Sequence, residues 1–443
     1  MKHLKYLLLA AMPFAFAACD KDDEPAFVPA LEFATDKLSA DAEGGILSVD
    51  VRADMPYEVV MPQEAAWIKL EGEAKPEAAT LSFEVEKNTA ATARTAAVVI
   101  RASEGITPAD TLHITQSGLD DAADITAEFD PAFATALQKK GYISDSRHIT
   151  PADVKDITKL KVSGKWQDHE EGKGLTSLKG IEYFTALEYL DCRRNQLTAL
   201  DVSQNTTLTS LHCNDNQLTA LDVSQNTALT ELYCGGNPLT ALDVSQNTAL
   251  ESLNCVRNQL TTLDISRNIA LTELDCQGNQ LTALDVSRNT ALTELGCQGN
   301  QLTVLDVSRN TVLDGLDCGG NRLTSLDVSR NAALEGLGCS ENQLTALDVS
   351  QNTALIMMDC SGNQMASLDI SQNTALEYLE CGNNQLTALD VSQNTALGFL
   401  FCNGNPGRNG IFEVTLWPGS DLRAQYESWK YGGRMVTVEY TGK

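Results

Sequence analysis

The chain holds 443 residues, and 60 acidic against 32 basic side chains give it a formal net charge of −28. That balance argues against nucleic acid as a partner and against direct adsorption to an anionic bilayer, since both carry charge of the same sign. The length exceeds what one hydrophobic core organises, so more than one domain is expected.

The N-terminus opens with Lys2, His3 and Lys5, followed by an apolar run from Tyr6 to Ala18 broken only by Pro13. A basic start and a short apolar core are the features of an export leader, too short to span a bilayer as a mature helix. Phe16-Ala17-Ala18-Cys19 sets small residues directly before a cysteine and resembles the bacterial lipoprotein cleavage box. The resemblance implies removal of residues 1–18 and a lipid on Cys19; the alternative is an ordinary leader with an incidental cysteine. Cys19 is the only cysteine outside the periodic region described below, which favours the lipid. The acidic run Asp20-Lys21-Asp22-Asp23-Glu24-Pro25 resembles the surface-export signal of Bacteroidetes lipoproteins. It implies an outer-membrane lipoprotein exposed at the cell surface, with residues 19–30 as tether and the lipid as the sole membrane attachment.

Residues 31–119 carry short alternating runs: Ile46 to Val51, Leu81 to Val85, Ala97 to Ile100 and Leu112 to Thr115. Alternation over four to six residues, separated by polar turns such as Glu43-Gly44-Gly45, predicts a β-sandwich. Gly44-Gly45, Trp67-Ile68, Asn88, Arg94 and the closing Ile114-Thr115-Gln116-Ser117-Gly118 resemble the BACON domain of gut bacterial surface proteins. The resemblance implies carbohydrate or mucin binding, but the lone Trp67 beside Ile68 reads better as core than as a sugar platform, which favours a spacer role.

A helical cap and irregular first repeats follow over residues 122–180. Asp130-Pro131 fits a helix entry, and Phe133 and Leu137 fall on one face of a helix running to Lys140. Pro151 to Ile157 predicts a second, shorter helix.

From 181 to 405 the sequence is periodic. Cysteines recur every 21 residues from Cys192 to Cys402. A unit such as Leu229-x-x-Leu232-x-Cys234-x-x-Asn237-x-Leu239 resembles the leucine-rich repeat, and in unit length the internalin-like repeats of bacterial surface proteins. The second half of the unit, Leu239-x-x-Leu242-x-Val244-x-x-Asn247, repeats the pattern, so strands are expected on one face and β-like or 3₁₀ segments on the other. The asparagines are expected to turn inward as a structural ladder, and the cysteines to be buried free thiols, because parallel strands aim their Cβ vectors alike and oppose bridging. The recurring Leu-Asp-Val-Ser stacks Asp201, Asp222, Asp243 and their successors to Asp390 in a column. Bonds to nearby backbone or hydroxyl groups answer their mutual repulsion; calcium bridging is the alternative. Residues 406–443 should cap the far end, with strands from Phe412 to Trp417 and from Met435 to Tyr440.

The fold expected is therefore mainly β: a sandwich, then a leucine-rich-repeat horseshoe with a small helical N-terminal cap and a β C-terminal cap. Partner contacts should lie on the concave strand face, where the copies differ. Candidates there are Tyr233, Glu273, Asp275, Glu294, Asp317, Met357, Asp359, Tyr378, Glu380, Phe399 and Phe401, with glycines at 296, 315, 336 and 338 leaving a shallow floor. Phe399 and Phe401 either join that surface or lie under the C-terminal cap. The five histidines recur with no serine, cysteine or carboxylate in a catalytic arrangement, and there is no phosphate loop or metal-ligand pair. No catalytic residue, metal or cofactor is expected. The role expected is that of a surface binding protein for an extracellular protein, with glycan capture or a structural envelope spacer as the alternatives.

Overall fold

The computed structural model describes residues 30–72, 80–90, 92–102, 109–164 and 174–442. The leader, Cys19, the tether up to Pro29 and His169 lie outside them. Among the described residues no helix is long and apolar enough to cross a membrane. The chain divides into two units, one taking the residues up to Asn88 together with Ala93–Ser117, the other Thr89–Thr92 with everything from Gly118 onward.

The first unit has two four-stranded sheets. One is ordered Leu31–Phe33, Gly45–Ala53, Thr80–Val85, Ile68–Leu70, the other Lys37–Ala40, Ala109–Gln116, Arg94–Ala102, Tyr57–Val60. Alternation turns Leu81, Phe83 and Val85 of one sheet and Val98, Ile100, Leu112 and Ile114 of the other into a common core. The four expected strands are all present, and four shorter ones join them. Arg94 lies 4.4 Å over the Trp67 ring, so Trp67 is packed on that face instead of open to a sugar. Arg94 also donates to the Gln116 side chain (2.8 Å) and to the Glu86 carbonyl (2.7 Å). Gln116 in turn donates to the carbonyls of Asp41 and Glu86 (3.0 Å each). These residues close the sandwich edge.

In the second unit the helix spans Pro131–Lys139. Asp130 accepts from the Ala132 and Phe133 N–H groups, the N-cap chemistry its position predicts. Phe129, Phe133, Tyr183 and Phe184 pack together at centroid distances of 5.9 to 6.4 Å and cover the first turn of the solenoid. The second helix is shorter than expected, only Pro151–Val154, where Asp153 accepts from the Thr150 N–H.

The solenoid carries one 12-stranded parallel sheet, from Lys159–Lys161 through Tyr189–Asp191 to Phe399–Phe401. From Tyr189 onward each strand pairs in register with the residues 21 positions away: Tyr189 with Ser210, Ser210 with Glu231, and so to Tyr378 with Phe399. The central residue of each strand is buried, as are all eleven cysteines, which are free thiols. Burial pushes the thiols of Cys234, Cys276 and Cys318 up to about 12, which suppresses the reactive thiolate.

Two asparagine ladders run through the interior. In the first, Asn279 donates to the Cys255 and Cys276 carbonyls (3.0 Å each) and accepts from Leu260 N–H (3.0 Å). In the second, Asn289 donates to the carbonyls of Ile265 (3.1 Å) and Asn268 (2.8 Å), while its buried Oδ1 accepts from no protein donor. The same bonds recur from unit to unit, because any bend in a buried chain must satisfy its backbone groups with side chains.

The side opposite the sheet carries the β-like and 3₁₀-type backbone expected of it. It lacks repeated β-pairing; after an extended Leu-Asp-Val, each unit makes two consecutive i→i+3 turns, such as Asn226 N–H to Val223 O (3.0 Å) and Leu229 N–H to Asn226 O (3.1 Å), and in the first unit the same place holds the 3₁₀ helix Ile181–Tyr183. The inward asparagine supplies the bonds a strand ladder would otherwise provide. Only Ala388–Asp390 is a strand there, and it joins Ile411–Thr415, Arg434–Thr441 and Ser428–Tyr431 in the C-terminal capping sheet. Two of these are the expected capping strands.

Candidate ligand-binding face

Side chains flanking each buried strand centre point away from the core, so the two flanking positions form two rows across the sheet. One row reads Glu273, Glu294, Gly315, Gly336, Met357, Tyr378, Phe399; the other reads Asp275, Gly296, Asp317, Gly338, Asp359, Glu380, Phe401. Where glycine replaces a side chain the face sinks, leaving a trough of about 510 Å³. Tyr233, Glu273, Asp275, Glu294, Asp317, Met357, Asp359 and Tyr378 line it over a floor of Gly296, Gly315, Gly336 and Gly338.

Eight of the eleven expected ligand-binding residues thus share one concavity. Glu380, on the strand of Tyr378, and Phe399 and Phe401, on the next strand, stand at its edge. The Tyr378 ring lies 6.1 Å from Phe399 and 5.5 Å from Phe401, and its hydroxyl donates to the Glu380 carboxylate. That bond pushes the Tyr378 hydroxyl up to about 12. Phe399 is 62% exposed and Met357 56% exposed, so the C-terminal cap does not cover Phe399.

The acids of the face are held in place. Asp275, Asp317 and Asp359 each accept through Oδ1 from the N–H two residues on, at 3.3, 3.1 and 3.0 Å. They lean over the neighbouring glycines: a Cβ at 296 would stand 2.9 Å from Asp275 Oδ1, and one at 338 would stand 3.0 Å from Asp317 Oδ1. Burial raises the Asp275 and Asp317 carboxyls above the usual range, and the row adds to it, Asp317 acting on Asp275 and Asp359 on Asp317. Burial also raises Glu294, helped by Asp314. Among the described residues no group of three or more His, Cys, Asp or Glu is arranged to hold a metal ion.

Some residues of the face were not singled out from the sequence. Ser252 and Asn254 line the trough, Asn254 donating to Asp275 Oδ2 (3.3 Å). Asp314 belongs to a third varying position, one residue before the strand, whose variation was legible as the same kind of signal. At the N-terminal end the His212 ring meets Tyr189 edge to face at 5.2 Å and Tyr233 at a tilt at 4.6 Å, and Lys159 lies 4.6 Å over Tyr189. Burial lowers the His212 pKa below its ordinary value.

Parallel three-residue strands at 21-residue steps, an inward asparagine ladder and a cap at each end define a leucine-rich-repeat solenoid. Residues 57–117 match the family model described as "BACON: Putative binding domain, N-terminal". The chain is a leucine-rich-repeat protein with internalin-like units that carries a BACON domain. An internalin, InlF, from Listeria monocytogenes is 24% identical over 67% of this chain and 92% of its own, with a TM-score of 0.59, and shares the fold. The functional domain of InlJ from Listeria monocytogenes, described as including a cysteine ladder, is 31% identical over 66% of this chain and 82% of its own, with a TM-score of 0.46. No curated protein matches the chain.

Proposed function

We propose that the protein is a cell-surface-anchored binding and adhesion lipoprotein that takes a protein ligand on the strand face of the solenoid. The observation that supports this most is the division of labour within one repeat. The turn half keeps Leu-Asp-Val-Ser or Leu-Asp-Ile-Ser from unit to unit, while the strand half varies and carries a trough flanked by exposed Met357 and Phe399. Exposed apolar groups beside ordered carboxylates suit a polypeptide, which supplies both apolar and cationic side chains. Cys19 would carry the lipid and the sandwich would serve as spacer, since Trp67 is packed beneath Arg94.

A screen of the purified protein against extracellular proteins and glycans tests this reading, run beside Met357→Ala/Tyr378→Ala. A protein hit weakened at least tenfold by that variant is expected. A hit that ignores the variant, or a glycan hit retained by it, would move the site off the strand face. For the anchor, Cys19→Ser should abolish incorporation of labelled fatty acid; incorporation that persists would contradict the assignment.

A further inference from the structure

The register of the sheet fixes a spacing that the functional reading leaves unused. Asp275 pairs with Gly296, Gly296 with Asp317, Asp317 with Gly338 and Gly338 with Asp359, so carboxylate and gap alternate across five strands. Neighbouring strands lie about 4.8 Å apart, which puts successive carboxylates about 9.6 Å apart along the solenoid. Each is oriented by its own backbone bond, as described above, and among the outward-facing strand residues from Glu231 to Phe401 none is Lys or Arg. The row therefore presents unbalanced negative charge at a regular interval, with burial and mutual repulsion both disfavouring it until a cation arrives.

Few polymers carry cations at that interval. A β-strand returns a side chain to the same face every two residues, about 6.7 Å, which falls between the carboxylates. A polyproline II helix returns one every three residues at about 3.1 Å each, or about 9.3 Å per turn, within a few tenths of an ångström of the acid spacing. The Met357, Tyr378 and Phe399 end of the trough adds a second fit, because aromatic-lined grooves receive the proline rings of such a helix. Resting on the strand face as the binding face, we propose that the occupant of the trough is an extended polyproline II segment with Lys or Arg at every third position, lying along the solenoid. Its cations meet Asp275, Asp317 and Asp359, and its prolines meet the aromatic end.

The test uses the purified full-length protein and two twelve-residue peptides of one composition. The first has the repeat Pro-Pro-Lys; the second has the same prolines and lysines with the lysines in adjacent pairs. Binding is measured by calorimetry near 0.15 M ionic strength, where screening acts beyond about 8 Å and suppresses attraction by net charge alone. The period-three peptide should bind at least tenfold more tightly than the permuted one. Asp275→Asn/Asp317→Asn/Asp359→Asn should weaken it at least tenfold, and Asp264→Asn/Asp285→Asn/Asp306→Asn on the opposite side should leave it unchanged, with circular dichroism confirming that both variants fold.

Equal affinity for the two peptides, retention of binding by the strand-face variant, or no binding of the period-three peptide would overturn the proposal. A protein ligand that Met357→Ala/Tyr378→Ala weakens but that the period-three peptide does not displace would overturn it too, while leaving the strand face as the binding face.

Discussion

Two columns of aspartate stand on the same solenoid, one along its turn side and one across five of its strands, and proton affinities in the two move in opposite directions. On the turn side, Asp243, Asp264, Asp285, Asp306 and Asp327 lie below the ordinary value, because the serine two residues on bonds each of them through both its side chain and its N–H, the latter at 2.8 to 2.9 Å. Arg288, Arg309 and Arg330 lower their neighbouring aspartates further. On the strand side, Asp275 and Asp317 accept similar backbone bonds, yet burial raises them above it. The turn-side acids are solvated and locally satisfied, so they need no partner. The strand-side acids are held in a trough beside other acids and gain when a cation arrives. Periodicity alone therefore does not mark a candidate binding column; what singles one out is an unmet electrostatic demand.

The largest effects should come from neither column but from the ladders between them. Asn279→Ala leaves the Leu260 N–H unpaired and takes one of two donors from the Cys255 and Cys276 carbonyls, which keep Asn258 and Asn300, and should cost about 2–3 kcal/mol. Asn289→Ala takes only the second donor from the Ile265 and Asn268 carbonyls, which keep the Asn268 and Leu271 N–H groups, and also removes an unsatisfied oxygen, so about 1 kcal/mol is expected. Denaturant unfolding orders the two, and an equal or reversed order would show that the second ladder holds more than these bonds.

The pH dependence of stability separates the columns next. A group lowered in the native state contributes stability that is present above its ordinary value, 3.8 for aspartate, and is lost as pH falls through the native value. A group raised in the native state penalises folding at neutral pH, and that penalty is relieved as pH falls through the native value. Acidification from pH 7 should therefore raise the melting temperature slightly before the turn-side loss lowers it below pH 3.8. Asp275→Asn/Asp317→Asn/Glu294→Gln should remove the rise and keep the fall. A monotonic fall in the wild type would mean that the strand-side acids carry no such penalty.

The smallest effect tests the corner joining the two sides. The residue before each first-ladder asparagine is left-handed, glycine at 236, 278 and 299 but Arg257 at φ 50°. Arg257→Gly should stabilise by about 0.5–1 kcal/mol in the same denaturant series, relief of strain outweighing the added chain entropy. A loss of stability would show that the arginine side chain matters more than its backbone.

Much of this was legible in the residues. A 21-residue step with Leu, Cys and Asn at fixed offsets gave the strand, the buried thiol and the ladder, and the variable strand positions pointed to the face that contains the trough. The doubled half pointed to β-like or 3₁₀ segments on the turn side without choosing between them; the structure combines an extended stretch with i→i+3 turns, since each inward asparagine, here Asn226, bonds Val202 O and Asn205 O and leaves the chain free to turn. The strands Leu31–Phe33, Lys37–Ala40, Tyr57–Val60 and Ile68–Leu70 are only three or four residues long, too short for alternation to show. The contrast between the acid columns was hidden as well, since both read as Asp every 21 or 42 residues and only burial tells them apart.

The most direct measurement is an NMR titration of the aspartate carboxyl carbons, with and without the Pro-Pro-Lys peptide. The account predicts that Asp275 and Asp317 titrate above 3.8 and Asp264 and Asp285 below it in the free protein, and that the peptide lowers the first pair and leaves the second unmoved. Two columns titrating together, or a peptide that shifts Asp264 and Asp285 instead, would contradict it.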